Sequence, residues 1–305
     1  MNVSEAIDQA CNQVGILPPK GAYRPGRWAK CGTLAGKSGK GDGRVIVDDA
    51  KVVSFNWQTG ETATVWLKGE NEITPKDRRV IARQIEQEKE QKRAREERAA
   101  KAAARMVEAA QANTHPYFAR KGFPAEKALV LDAATIRKLG GDYLVAGERA
   151  IVMPARIGAK IKSVQLIWEE GTKKFLAGGS ITGSCHRIAK GSGPTWHCEG
   201  YATGLTLRTA LKGLNRSDTI LCCFSAGNVA AVARNAKGRA FLLTDNDKPM
   251  PQFGGLGTGE HWARTTGLPY LMPPEVGTDL NDFHQANGIF AVQRLLTDFL
   301  REARP

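Results

Sequence analysis

Two segments constrain this chain more than any others. Thr195-Trp-His-Cys-Glu199-Gly200-Tyr201-Ala-Thr-Gly204 is a short apolar run that ends in a carboxylate and passes into glycine-containing chain. Phe241-Leu-Leu-Thr-Asp245-Asn-Asp247 repeats that scheme about 45 residues later. Between them lie a third apolar run, Thr219–Phe224, and two stretches with helical patterning, about 203–211 and 227–235. Strand, helix, strand, helix with connections of this length predicts a parallel sheet with right-handed crossovers. In an open parallel sheet the working edge lies at the carboxyl ends of the strands. Glu199 and Asp245 are therefore expected at neighbouring strand ends, with Asp247, two residues on, sharing a face with Asp245.

Three converging carboxylates repel one another unless a divalent cation neutralises them. Magnesium, or manganese in its place, fits: it takes hard oxygen ligands, keeps several waters and bridges to substrate phosphates. On this reading Glu199, Asp245 and Asp247 are both catalytic residues and metal ligands. Asp245-Asn-Asp247 by itself reads as a polar turn after a strand; its pairing with Glu199 favours the site. Gly200 and Gly204 allow a tight turn from strand into helix, where backbone N–H groups approach a phosphate. Asp279 and Asp282, in Gly277-Thr-Asp-Leu-Asn-Asp282-Phe-His284, form a second acidic patch. They are read either as an added ligand or, through Asn281 or Asp282, as a helix cap.

The chain ahead of Glu199 has a different rhythm. Residues 150–156, 161–168, 173–176 and 185–188 read as successive strands of an antiparallel lobe, with Gly171 and Gly178-Gly179 at turns. This lobe is basic, and Arg156, Lys162, Lys173, Lys174 and Arg187 are its candidate phosphate contacts. Arg120 and Lys121, in His115-Pro-Tyr-Phe-Ala-Arg120-Lys121-Gly122, join them. The chain carries 44 Lys and Arg against 31 Asp and Glu, a formal net charge of +13, which points to a polyanionic partner.

Four regions follow: a small β module (1–72), a long charged helix or linker (73–111), the antiparallel lobe (112–192) and the parallel-sheet domain (193–305). A further helix near 259–266, a strand at 269–272 and a C-terminal amphipathic helix (Ile289, Val292, Leu295, Leu296, Phe299, Leu300) complete the last of these. In the first region, strands before and after a turn at Asp48–Lys51 lead to a third strand at Thr62-Ala-Thr-Val-Trp66-Leu. Its Phe55, Trp57 and Trp66 suit either of two roles: stacking on the bases of single-stranded nucleic acid, or forming a little core. A flexible basic loop, Lys37 to Arg44, precedes these strands. The helix is read from a Thr74 cap and Pro75 to about Gln111; its apolar residues are too sparse for a deeply buried middle, so a solvated spacer is favoured over a nucleic-acid-tracking arm.

Several classes are set aside. Gly32-Thr-Leu-Ala-Gly36-Lys37-Ser38 has three residues between its glycines where a phosphate-binding loop needs four, which argues against an ATPase or helicase in this chain. Six cysteines without a Cys-x-x-Cys pair read as buried reduced thiols, and no zinc is expected despite His197-Cys198. Neither an apolar run of membrane length nor a signal pattern after Met1 is seen, so a cytoplasmic location in a bacterial host cell is expected, with no membrane partner.

Glu199-Gly-Tyr-Ala-Thr-Gly204 followed by Asp245-x-Asp247 resembles the Toprim domain shared by primases, topoisomerases and some nucleases. The Glu-Gly-Tyr-Ala-Thr form resembles the primases of plasmids, satellite phages and phages. The resemblance spans about 113–288, including Lys174-Phe-Leu-Ala-Gly-Gly179, Phe224-Ser-Ala-Gly-Asn228 and Gly277-Thr-Asp-Leu-Asn-Asp282. It implies a Toprim-like parallel sheet flanked by helices, and a metal-dependent polymerase that starts short RNA primers on a single-stranded DNA template from ribonucleoside triphosphates. Asp245 and Asp247 would hold the metal, with Glu199 as a further ligand or acid–base group. Relatives often carry an N-terminal zinc module and a fused helicase. Cys11 and Cys31 are too few and too far apart for the former, and without a phosphate loop two alternatives stand: initiation alone, or initiation with a replicative helicase acting in trans. Two readings compete: a Toprim nuclease using water as nucleophile, and a non-catalytic nucleic-acid-binding protein of replication or interference.

Overall fold

The computed structural model describes residues 2–21, 24–34, 41–67 and 75–303. Lys37 and Lys40 of the basic loop, and the Thr74 cap, lie outside them. The chain divides into two compact units, Met1–Glu88 with Pro249–Leu256 and Lys89–Lys248 with Gly257–Pro305.

The first unit opens with α1 (Val3–Gln13), started by a capping box in which Asn2 and Glu5 each bond the other's backbone N–H. An antiparallel meander follows in the order β1 (Ala29–Cys31), β2 (Gly43–Val47), β3 (Lys51–Asn56), β4 (Thr62–Trp66). The β2–β3 turn closes because Asp48 Oδ1 accepts the N–H groups of Ala50 and Lys51. Strict alternation puts Val45, Val47, Val52, Ala63 and Val65 inward, against Ala6, Ile7, Ala10 and Cys11 of α1. Two buried polar side chains pin helix to sheet: Ser54 Oγ donates to the Ala10 carbonyl at 2.6 Å, and Asn56 Nδ2 to the Val14 carbonyl at 2.8 Å. The core is thus built without Phe55, Trp57 or Trp66. Phe55 is half-buried and the two tryptophans are exposed on the opposite face, so the little-core reading of these rings is corrected.

The second unit takes in the latter part of α2 (Pro75–Ala109), where Ala99, Ala103 and Met106, one helical face, are buried. It covers one side of an antiparallel sheet ordered β5 (Gln111–Asn113), β6 (Ala128–Asp132), β7 (Arg149–Ile157), β8 (Lys160–Trp168), β9 (Lys173–Phe175). Alternate residues of β7 and β8 go to opposite sides. Ala150, Val152, Val164, Leu166 and Trp168 pack under α2, while Ile151, Met153, Ala155 and Ile167 enter the central core. Both sheet faces are covered, which is why these strands read as near-continuous apolar runs. Two short helices, α3 (Pro116–Arg120) and α4 (Ala133–Gly140), sit in the β5–β6 and β6–β7 connections.

The last sheet is mixed, ordered β10 (His186–Ala189), β12 (Thr219–Cys222), β11 (Thr195–Cys198), β13 (Ala240–Leu243), β14 (Tyr270–Leu271). All its ladders are parallel except β10–β12. The segment 185–188, expected in the antiparallel lobe, thus belongs here instead. Only Cys185 pairs back to Arg156 of β7; the chain then crosses to run beside β12, bulging between Arg187 and Ala189. Apolar residues of α5 (Tyr201–Gly213), α8 (Leu280–Asn287) and α9 (Ile289–Glu302) join Trp196, Ile220, Phe241 and Leu243 in the central core. Those of α6 (Ala226–Ala233) and α7 (Thr258–Arg264) join Leu221 and Leu242 on the other face. The product is a layered α/β arrangement. Among the described residues no helix is long and apolar enough to cross a membrane.

Candidate active site

The parallel ladder aligns Cys198 with Leu243 and with Cys222. One residue later Glu199 leaves β11, and two residues later Asp245 leaves β13, so both carboxylates stand on the rim of carboxyl ends. Backbone bonds hold the rim: Cys223 N–H donates to the Cys198 carbonyl at 2.7 Å and Phe224 N–H to the Glu199 carbonyl at 3.0 Å. To reach that bond Phe224 takes φ 72°, a left-handed conformation unfavourable for an aromatic residue. Ser225 then caps α6, and the Ala226 N–H at the start of that helix bonds the Glu199 carboxylate.

Asp247 is fixed differently. Its Oδ2 accepts the Gly259 N–H at 2.9 Å. A Cβ on Gly259 would lie 2.5 Å from the Asp245 carbonyl oxygen, so only glycine lets α7 approach this closely. Asn246, between the two aspartates, is the anchor: its N–H donates to the Thr278 carbonyl at 3.0 Å, and its side chain to the Pro273 carbonyl at 2.9 Å. That bridge brings Asp279 to the rim. Sequence reasoning missed Asn246 and Gly259, whose roles depend on backbone pairing with chain distant in sequence.

The electrostatics follow from this convergence. Burial pushes the Glu199 carboxyl up to about 7; the Asp247 charge adds to the rise, and Lys173 and the Ala226 N–H oppose it. Burial likewise pushes Asp245 up to about 8, reinforced by Glu199, Asp279 and Asp247 and opposed by Lys173. Asp245 Oδ1 is buried without a hydrogen-bond partner, as are the hydroxyl oxygens of Thr203 and Thr244 on the same two segments. A buried carboxylate oxygen left bare among like charges suits a divalent cation. Among the described residues no group of three or more His, Cys, Asp or Glu side chains is gathered closely enough to hold a metal ion, so the expected set of three carboxylates around one ion is not assembled here. The donors present would leave most positions around an ion to water and substrate oxygens, as magnesium prefers.

The other residues singled out from the sequence fall in several places. Lys173 is the basic residue whose charge acts on both Glu199 and Asp245. Lys174 Nζ donates to the Tyr143 carbonyl at 2.7 Å, and Arg120 pairs with Glu170 at 2.6 Å. Lys121 lies 3.6 Å from Asp282. Arg156 and Lys162 line a cleft of about 550 Å³ between α2 and the β7–β8 hairpin, and Arg187 is exposed on β10. Asp279, rather than Asn281 or Asp282, is the cap of α8, and Asp282 completes its capping box. Asn281 is buried and donates to the Lys121 carbonyl and the Thr206 hydroxyl. Gly200 is the N-cap of α5 and lies at the rim. Gly204 is enclosed within α5, where a Cβ would collide with Ile188 and reach 3.0 Å from Cys198 Sγ; it serves packing and not a phosphate. His197 is buried beside the Phe241 carbonyl, and all six cysteines are free thiols.

No family model matches the chain. It is similar to a chain in the structure of bacteriophage T7 lagging-strand DNA polymerase interacting with primase domains of two gp4 subunits bound to an RNA/DNA hybrid and dTTP. The match has a TM-score of 0.36 and 14% identity, over 52% of this chain and 79% of that one. It is also similar to the primase fragment of the bacteriophage T7 primase-helicase protein, with a TM-score of 0.34 and 15% identity, over 48% and 62% of the two chains.

Proposed function

We propose that this chain is a DNA primase of the Toprim type, a metal-dependent nucleotidyltransferase that makes short RNA primers on single-stranded DNA. The observation that carries the reading is the bare Asp245 Oδ1 beside Glu199 on adjacent strand ends, within the field of Asp247 and Asp279. The Glu199-Gly-Tyr-Ala-Thr form, with its resemblance to primases, supports nucleotide transfer over hydrolysis.

Asp245 and Asp247 would hold Mg²⁺ or Mn²⁺, with Glu199 beside them. When bound, the ion supplies a Lewis-acidic clamp on the phosphates. The remaining work belongs to side chains of this chain. Lys173, exposed next to the carboxylates, pairs with triphosphate oxygens. The Ala226 N–H keeps the Glu199 carboxylate oriented. Glu199, poised near neutrality, accepts the proton of the attacking 3′ hydroxyl. That oxygen bonds to the α-phosphorus of the incoming nucleotide, the bond to the β-phosphate breaks, and pyrophosphate leaves. Ribonucleoside triphosphates and a single-stranded template are the substrates, and a helicase in trans is the expected partner.

Incubation with single-stranded DNA, Mg²⁺ and labelled ribonucleotides should yield short oligomers. Cleavage of labelled DNA without added nucleotides, and no oligomers on any template, would replace this reading with the nuclease one.

A further inference from the structure

The N-terminal meander has one face closed by α1 and one face open, and the open face has a distinct chemistry. The register sets Lys30, Arg44 and Phe55 side by side across β1, β2 and β3, and Lys51 beside Trp66 across β3 and β4. Trp57 continues the aromatic row: its ring meets Phe55 edge-on, with centroids 4.9 Å apart. Trp57 is 63% exposed and Trp66 41% exposed. Lys51 Nζ lies 5.6 Å from the centre of the Trp66 ring, a cation held over an aromatic face. Among the described residues, the outward positions of the four strands carry three cations and no carboxylate. Lys51 and Phe55 are four residues apart on β3, so the two aromatic stations are separated by about 14 Å at the rise of a strand.

Exposed rings are costly to leave in water, and this sheet already has a complete core on its other side. Nothing in the folding of this unit accounts for two tryptophans on the open face. Flat rings at intervals, with Lys51 over Trp66 and Arg44 beside Phe55, on strand positions without a carboxylate, match one partner chemistry: unpaired bases that stack, on a backbone that carries phosphates; the acids Asp42 and Asp48 sit in the flanking turns. A duplex hides its base faces, and strand positions that pair rings with cations alone suit a polyanion better than a protein surface.

We propose that the open face of the β1–β4 sheet is a binding platform for single-stranded nucleic acid, with Trp57 and Trp66 as stacking stations and Lys30, Arg44 and Lys51 as phosphate contacts. It rests on the proposed function for the identity of the polymer and on the N-terminal sheet for the surface. It assigns the module a task that needs no zinc.

The test uses the full chain and a fluorescein-labelled oligothymidylate, read by anisotropy over a range of salt concentrations. Trp57→Ala and Trp66→Ala should each weaken binding roughly 5- to 100-fold, and Trp66→Phe should recover most of the loss. Lys30→Ala and Lys51→Ala should each lower the slope of log affinity against log salt by about 0.7. Circular dichroism should be unchanged, because these side chains point away from the core. Affinity within twofold of the parent in both tryptophan variants would overturn the proposal. So would self-association that disappears in those variants while oligonucleotide binding persists. The two readings separate cleanly: oligonucleotide bound through the tryptophans without any primer synthesis sinks the proposed function alone. Primer synthesis with unaltered binding in the tryptophan variants sinks the platform alone.

Discussion

Glu199 and Asp245 leave adjacent parallel strands one and two residues beyond the aligned pair Cys198 and Leu243, and the Glu199 charge adds to the rise that burial imposes on the Asp245 carboxyl. A cation bound there, as proposed, would relieve that repulsion.

Removing either charge should therefore separate stability from activity. On the proposed function, Glu199→Gln and Asp245→Asn are expected to cut primer synthesis by about 100-fold or more, since the first removes the proposed base and the second a proposed metal ligand. The same variants should be more stable than the parent without metal at pH 8, on the order of 1 kcal/mol, because a neutral amide replaces a repelled carboxylate. Product gels and denaturant melts check the two halves.

The pH dependence has a definite sign. Both carboxyls have folded-state pKa values, about 7 and about 8, above the usual carboxylate range of the unfolded chain. The folded state thus binds these protons more tightly. Their contribution to stability is full below about pH 4 and is lost as pH rises through 7 and 8. Metal-free protein should melt at falling temperature across that window, and Mg²⁺ should restore the loss progressively more at the alkaline end. Calorimetry in buffers of different ionisation heat should also show proton release when Mg²⁺ binds at pH 7.

Gly259→Ala tests the support under Asp247. The new methyl group meets the Asp245 carbonyl oxygen, so α7 must withdraw and the Gly259 N–H bond to Asp247 is lost. A stability loss of about 1–3 kcal/mol is expected, with a larger fractional loss of Mg²⁺ affinity. Unchanged affinity in a titration followed by melting temperature would contradict this role.

A double-mutant cycle tests whether Gly204 is a packing residue. Gly204→Ala should destabilise by about 1–3 kcal/mol through collision with Ile188, and Ile188→Val, which removes the colliding methyl, should recover part of that. Additive effects would mean that the two positions do not meet.

The buried Asp218 carboxylate accepts from the Trp196 indole at 2.9 Å and from the Arg216 guanidinium at 3.0 Å, beneath the sheet's central strand. Asp218→Ala strands both donors and should cost about 2–4 kcal/mol in urea denaturation, with the rim left chemically intact.

The parts of this structure visible in the sequence are those written in local patterns. The β2–β4 meander follows from alternation around Asp48–Lys51, and the C-terminal helix from the spacing of Ile289, Val292 and Leu296. The run of apolar strands from Trp196 to Leu243 announced a layered α/β core. The parts that escaped are long-range decisions. Residues 186–189 are as strand-like as their neighbours, and only the available edge of β12 decides which sheet they join. β5, Gln-Ala-Asn, is short and polar enough that pairing with β6, not propensity, makes it a strand. Asn246 looks like a spacer between two aspartates until Thr278 is found opposite it.

The two margins of the mixed sheet have one more consequence. β14 offers only two residues for pairing, and β10 is kinked by its bulge and tethered through Cys185 to the neighbouring sheet. Neither border presents a long flat row of vacant amides and carbonyls to a passing strand. Growth of this sheet by annexing a segment from another molecule is thereby discouraged at both ends, and crowding of chains need not seed fibrils through it.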